Sequence, residues 1–136
     1  MNKAIIIMLI SVNDMPRPRL LIIDDEEMFC AFVAEVAEEM GYEVRVLTTS
    51  GEFIATFNAF QPQAVFLDMV MPELDGTEIT RLLAERKFCG KLFIVTGYNQ
   101  QYSKIAKALG ELGGLSDVER LSKPLRLEEL RRVLRI

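Results

Sequence analysis

Short apolar runs alternate along this chain with longer stretches in which apolar residues recur every three or four positions. From Arg19, the run Leu20-Leu21-Ile22-Ile23 ends at Asp24-Asp25. Phe29, Phe32, Val33, Val36 and Met40 then follow helical spacing over 28–40, with Glu35, Glu38 and Glu39 on the other face and Gly41 as the stop. Val44 to Leu47 is a second strand. Ser50 is placed to cap a helix over 52–60, with Phe53, Ile54, Phe57 and Phe60 inward and Pro62 ending it. Ala64 to Leu67 is the third strand, and 77–87 a helix with Ile79, Leu82 and Leu83 inward. Leu92 to Val95 is the fourth strand, before Thr96-Gly97. A helix over 101–112 breaks at Gly113-Gly114, a short fifth strand runs from Val118 to Ser122, and a closing helix covers 127–134. Strand and helix thus alternate five times, which predicts an α/β fold: a doubly wound, five-stranded parallel sheet with helices on both faces.

In such sheets ligands bind beyond the carboxyl ends of the strands. The ends here carry Asp24-Asp25, Asp68, Thr96 and Lys123. Gathered carboxylates repel one another, which either raises a pKa or attracts a cation. The chain contains no histidine, so histidine bases and ligands are excluded. Hard oxygen donors without His or Cys favour Mg²⁺ over zinc. A carboxylate nucleophile, Mg²⁺, a lysine and a hydroxyl together suit acceptance of a phosphoryl group.

These motifs, in this order, resemble a response-regulator receiver domain of two-component signal transduction, of the single-domain, chemotaxis-regulator-like kind. The matching residues are Asp24-Asp25, Asp68 to Pro72 with Asp75-Gly76, Thr96-Gly97 and Lys123-Pro124. The resemblance implies a flavodoxin-like (βα)5 fold in three α/β/α layers, with the receiver over 19–136. It implies that Asp68 is the phosphoacceptor. Asp24, Asp25, Asp68 and the Val70 carbonyl hold Mg²⁺, Lys123 contacts the phosphoryl group, and Thr96 moves toward it. It also implies a cis bond at Lys123-Pro124. The expected partners are a sensor histidine kinase or histidine phosphotransfer protein as donor and a downstream protein as target. The protein is then a signalling phosphoacceptor rather than an enzyme, with self-catalysed phosphotransfer and slow autodephosphorylation. One position departs from the pattern. The family has Tyr or Phe three residues before the lysine, where this chain has Arg120. Tyr98 and Arg120 are the alternatives for carrying the switch.

Composition narrows the setting. With 136 residues the chain is one domain, and a net charge of −4 argues against nucleic acid as the main partner. Cys30 and Cys89 sit in no paired motif and read as small core hydrophobes in a reducing, cytoplasmic compartment. The segment 1–18 is an extension whose apolar run, Ala4 to Ile10, is too short to span a membrane. It reads as an early translation start with Met15 as the working one, as an extra packing strand, or as a signal. The chain ends with the fifth helix, so a stand-alone receiver is expected, monomeric or weakly dimeric. From Asp24 to Glu43 there are eight acids and no bases, whereas bases outnumber acids from Lys104 onward. Solvated helix faces explain this. The sharper reading is two docking surfaces, the later one tuned by Arg126, Arg131, Arg132 and Arg135.

Three rival readings share part of this pattern. A haloacid-dehalogenase-type enzyme shares the strand-end Asp but needs a second Asp two residues on, where Val70 stands. A nucleotide-binding flavodoxin-like protein lacks its Gly-rich loop after the first strand. A phosphorylation-independent interaction module is favoured only by Arg120.

Overall fold

The computed structural model describes residues 16–71, 76–97 and 100–135. The extension up to Met15, the turn from Pro72 to Asp75, and Tyr98 lie outside the described residues. The elements run β1 (Arg19–Ile23), α1 (Glu27–Glu39), β2 (Glu43–Leu47), α2 (Phe53–Phe60), β3 (Ala64–Asp68), α3 (Gly76–Glu85), β4 (Lys91–Thr96), α4 (Gln100–Leu112), β5 (Val118–Ser122) and α5 (Leu127–Val133). Among the described residues, no helix is long and apolar enough to cross a membrane.

The strands form one parallel sheet in the order β2-β1-β3-β4-β5. Strand residues alternate between its faces because side chains project with a period of two. Leu20, Ile22, Phe66, Phe93 and Val95 join Val33, Val36, Leu130 and Val133 of α1 and α5 in one core. Leu21, Ile23, Val65, Leu67 and Ile94 join Phe53, Ile79, Leu83 and Ala106 of α2, α3 and α4 in the other. Both faces are therefore covered, which is why β1, β3 and β4 read as unbroken apolar runs. Phe66 and Phe93 stack across β3 and β4 with ring centroids 4.6 Å apart.

Three expectations are corrected. Ser50 is not a side-chain cap. Its carbonyl accepts the Phe53 amide at 3.1 Å, Glu52 is the N-cap, and the buried Ser50 hydroxyl has no hydrogen-bond partner. Ile54 faces outward, because α2 buries only Phe53 and Phe60 fully. Cys89 is exposed in the turn before β4, whereas Cys30 is buried as expected. Burial pushes the Cys30 thiol up to about 12, so it stays protonated and unreactive.

The elements end where backbone chemistry demands. Gly41, after α1, has φ +100, and α2 closes on Gln61 in the left-handed region before Pro62. Gly76 is required for a different reason. A Cβ there would lie 2.8 Å from the Met69 Cα and 2.7 Å from the Met69 Sδ. Glycine thus lets the start of α3 rest on the chain just after Asp68, fixed by the Gly76 amide donating to the Met69 carbonyl at 2.8 Å.

Candidate functional site

Parallel register brings the strand ends to one edge. Asp68 pairs with Val95 and Thr96 with Ser122. Beyond those pairs, the Asp24 amide donates to the Leu47 carbonyl at 3.0 Å, Met69 N to Val95 O at 3.2 Å, and Lys123 N to Thr96 O at 2.9 Å. The sheet's hydrogen bonding thereby sets Asp24, Asp68, Thr96 and Lys123 at one level. Asp68, Thr96 and Lys123 line a cleft together with Asp25, Glu26, Val70 and Leu125.

One side-chain oxygen from each of Asp24, Asp25 and Asp68 lies within 4.8 Å of the other two. Asp24 is 1% exposed and Asp68 9%, whereas Asp25 faces solvent. The Asp24 Oδ1 accepts the Glu26 amide at 2.8 Å. Its Oδ2 lies 2.8 Å from Lys123 Nζ, an ion pair rather than a well-directed hydrogen bond. Asp68 Oδ1 accepts the Val70 amide at a long 3.4 Å. Lys123 also pairs with Glu26, and its Nζ stands 4.4 Å from the centre of the Phe29 ring. The Lys123-Pro124 bond is cis, as expected.

The charges respond to this setting. Burial pushes the Asp68 carboxyl up to about 6; the Asp24 charge adds to the shift, and Lys123 and the Val70 amide oppose it. Burial also raises Asp24, against the pull of Lys123. Burial works against the Lys123 charge too, but Asp24 and Glu26 outweigh it and hold the ammonium above its ordinary value. The site is thus an under-compensated anionic pocket. Its three carboxylates offer clustered hard oxygen donors, a donor set that fits a Mg²⁺ ion.

Of the expected site residues, Asp25, Asp68, Val70, Thr96 and Lys123 line the cleft, and the buried Asp24 adjoins it through the carboxylate cluster and its ion pair with Lys123. Arg120 does not line the cleft. On the edge strand β5, its Nε donates to Ser103 Oγ at 2.9 Å and its Nη2 to Gln100 Oε1 at 3.1 Å, both on α4. Gln100 Nε2 in turn donates to Ser122 Oγ at 3.0 Å. This polar clasp was not apparent in the sequence, because nothing in the spacing pairs Arg120 with α4. Glu26 and Phe29 were also missed as site residues. Glu26 directly follows the acidic pair, which was its only signal, and Phe29 fits the apolar stripe of α1.

A parallel (βα)5 sheet with this acidic cluster and lysine at its carboxyl edge defines the flavodoxin-like, CheY-type receiver fold. The chain belongs to the response regulator receiver domain family, whose model matches residues 20–135. It is 30% identical over 112 residues to the transcriptional regulatory protein TrcR of Mycobacterium tuberculosis, covering 82% of this chain and 42% of that protein. It is 25% identical over 87 residues to the alkaline phosphatase synthesis transcriptional regulatory protein PhoP of Bacillus subtilis, covering 64% of this chain and 36% of that one. The chain therefore spans less than half the length of these two curated relatives. Among solved structures, a response regulator receiver domain protein from Clostridium thermocellum superposes with a TM-score of 0.74 at 27% identity, covering 86% of this chain and 90% of the other. The CheY-like receiver of Methanospirillum hungatei matches with a TM-score of 0.75 at 24% identity, covering 88% and 91%.

Proposed function

We propose that this receiver, spanning residues 19–136, accepts a phosphoryl group on Asp68 from the phosphohistidine of a sensor kinase or histidine phosphotransfer protein. The observation that carries the proposal is the buried Asp68 carboxylate facing Asp24, Asp25 and Lys123 at the mouth of one cleft. An Asp68 oxygen attacks phosphorus and forms the O–P bond. The donor's P–N bond breaks, and its electron pair returns to the imidazole. Asp24, Asp25 and Asp68, with the Val70 carbonyl, would hold a Mg²⁺, which would supply charge neutralisation at the phosphoryl oxygens. Lys123 contributes a second, fixed positive charge, and the Thr96 hydroxyl a hydrogen bond to the new group.

Arg120 offers a route outward. It stands one strand from Thr96's own and ties β5 to the first turn of α4, so a shift of Thr96 toward the phosphoryl group is transmitted to that helix through the clasp. Tyr98 is the alternative carrier. The output is altered binding of a protein target, or onward transfer of the group in a relay. The exposed Arg126, Arg131 and Arg135 are placed to tune target binding, while Arg132 is shared with Glu119 at 3.2 Å. The acidic face of α1 that carries Glu35, Glu38 and Glu39 is placed to meet the donor protein.

The test is the intact mass of wild type and Asp68→Asn after incubation with Mg²⁺ and acetyl phosphate. One added phosphoryl group that requires both Mg²⁺ and Asp68 supports the proposal. No addition to folded wild type overturns it in favour of a phosphorylation-independent interaction module.

A further inference from the structure

Glu26 makes a contact that its place in the chain does not require. It is the N-cap of α1, with the extended backbone (φ −83, ψ 100) of a capping residue, yet its side chain makes no capping bond. It reaches instead across the cleft to the Lys123 ammonium. Lys123 is consequently held by Asp24 at 2.8 Å, by Glu26, and by the Phe29 ring at 4.4 Å. Among the described residues these two carboxylates are its ion-pair partners, and Asp68 is not one of them. Two of the three contacts, Glu26 and Phe29, come from the start of α1. The lysine is a compact charge on a flexible stem, able to turn between partners.

We infer that Glu26 is a positioning residue that parks Lys123 against the start of α1 and competes with the phosphoryl group for its ammonium. The inference rests on the phosphoacceptor role of Asp68 and extends it. Uptake of the group requires Lys123 to leave Glu26, while Asp24 remains within its reach. Glu26 therefore restrains phosphorylation, and neutralising it frees the lysine. The Glu26 side chain is 61% exposed, so the effect is that of a half-exposed ion pair, about two- to fivefold.

The test measures the rate of phosphoryl uptake from acetyl phosphate at saturating Mg²⁺, by intact mass. Glu26→Gln is expected to take up the group about two- to fivefold faster than wild type. Glu26→Asp, one methylene shorter, falls between them. Glu27→Gln, which removes a neighbouring exposed charge, leaves the rate unchanged, and the Glu26→Gln gain disappears in a Lys123→Ala background. Beryllofluoride, a mimic of a bound phosphoryl group, gives a second measure by fluorine NMR in the same proteins and is expected to rank them the same way. An equal gain in Glu27→Gln means general repulsion of an anionic donor and overturns the inference. So does a gain that survives Lys123→Ala, or no gain at all while wild type is phosphorylated. No uptake and no beryllofluoride binding by any of the proteins overturns the phosphoacceptor role itself.

Discussion

Lys123 Nζ stands 2.8 Å from Asp24 Oδ2, although β3 and β4 separate the strands that carry them. The contact is possible because the residues just past β1 and β5 both turn over the carboxyl edge of the sheet. Asp68 ends β3, the first of the two strands between them. Among the described residues Lys123 is the cation paired into this cluster of three carboxylates, and at Asp68 burial, reinforced by the Asp24 charge, outweighs its pull.

That burial makes an ionised Asp68 costly to the fold. Its carboxyl titrates near 6, against 3.8 for a free aspartate, so at pH 7 it is ionised in a place that resists the charge. A shift of this size corresponds to at most about 3 kcal/mol, and solvent in the open cleft reduces it to about 1–2 kcal/mol. Asp68→Asn is expected to be more stable than wild type by that amount in Mg²⁺-free buffer at pH 7. Urea unfolding followed by circular dichroism measures it, and a less stable variant contradicts the account.

The same shift fixes the pH dependence. The native pKa lies above the unfolded one, so between about 6 and 3.8 the folded protein binds the extra proton. This component of wild-type stability therefore rises as pH falls from 7 through 6, and is complete below about 4. The advantage of Asp68→Asn is expected to shrink over the same window and vanish at its acid end. Paired unfolding curves from pH 7 to pH 4 check this. An advantage independent of pH rules out Asp68 ionisation as its source.

Gly76→Ala places a methyl group within 2.8 Å of the Met69 Cα, which is backbone and cannot swing aside. The chain beneath Asp68 must move. A loss of about 1–3 kcal/mol is expected, together with slower phosphoryl uptake than in wild type. Thermal unfolding and the uptake rate are the measurements. A variant with unchanged stability shows that the close approach can be relieved without strain.

Arg120→Ala removes two hydrogen bonds from the first turn of α4. The expected loss is about 1 kcal/mol, concentrated there. Amide hydrogen exchange at Ser103 and Lys104 is then about fivefold faster, with the β1 and β3 amides unchanged. Uniform acceleration across the sheet argues for global destabilisation rather than a local clasp.

Most of the fold and the cleft was legible in the sequence for a specific reason. β1, β3 and β4 are buried on both faces, so each appears as an apolar run, and the first polar residue marks its carboxyl end. That is why the positions of Asp24, Asp68 and Thr96 at strand ends are readable from the sequence. What failed to show depends on tertiary direction. Periodicity put Ile54 inward, but α2 is short and lies on its two end phenylalanines. Cys89 has the composition of a core residue yet falls in a turn. The partners of Arg120 and Glu26 sit on elements distant in sequence, and local pattern carries no trace of such pairs.

The central claim is that Asp68 is the phosphoacceptor, and locating the group tests it most directly. The protein is incubated with acetyl phosphate and Mg²⁺ and then reduced with borohydride, which converts an aspartyl phosphate to homoserine, and its peptides are mapped by mass. The account requires one conversion, at Asp68, absent when Mg²⁺ is withheld. Conversion at another carboxylate, or none in folded protein, contradicts it.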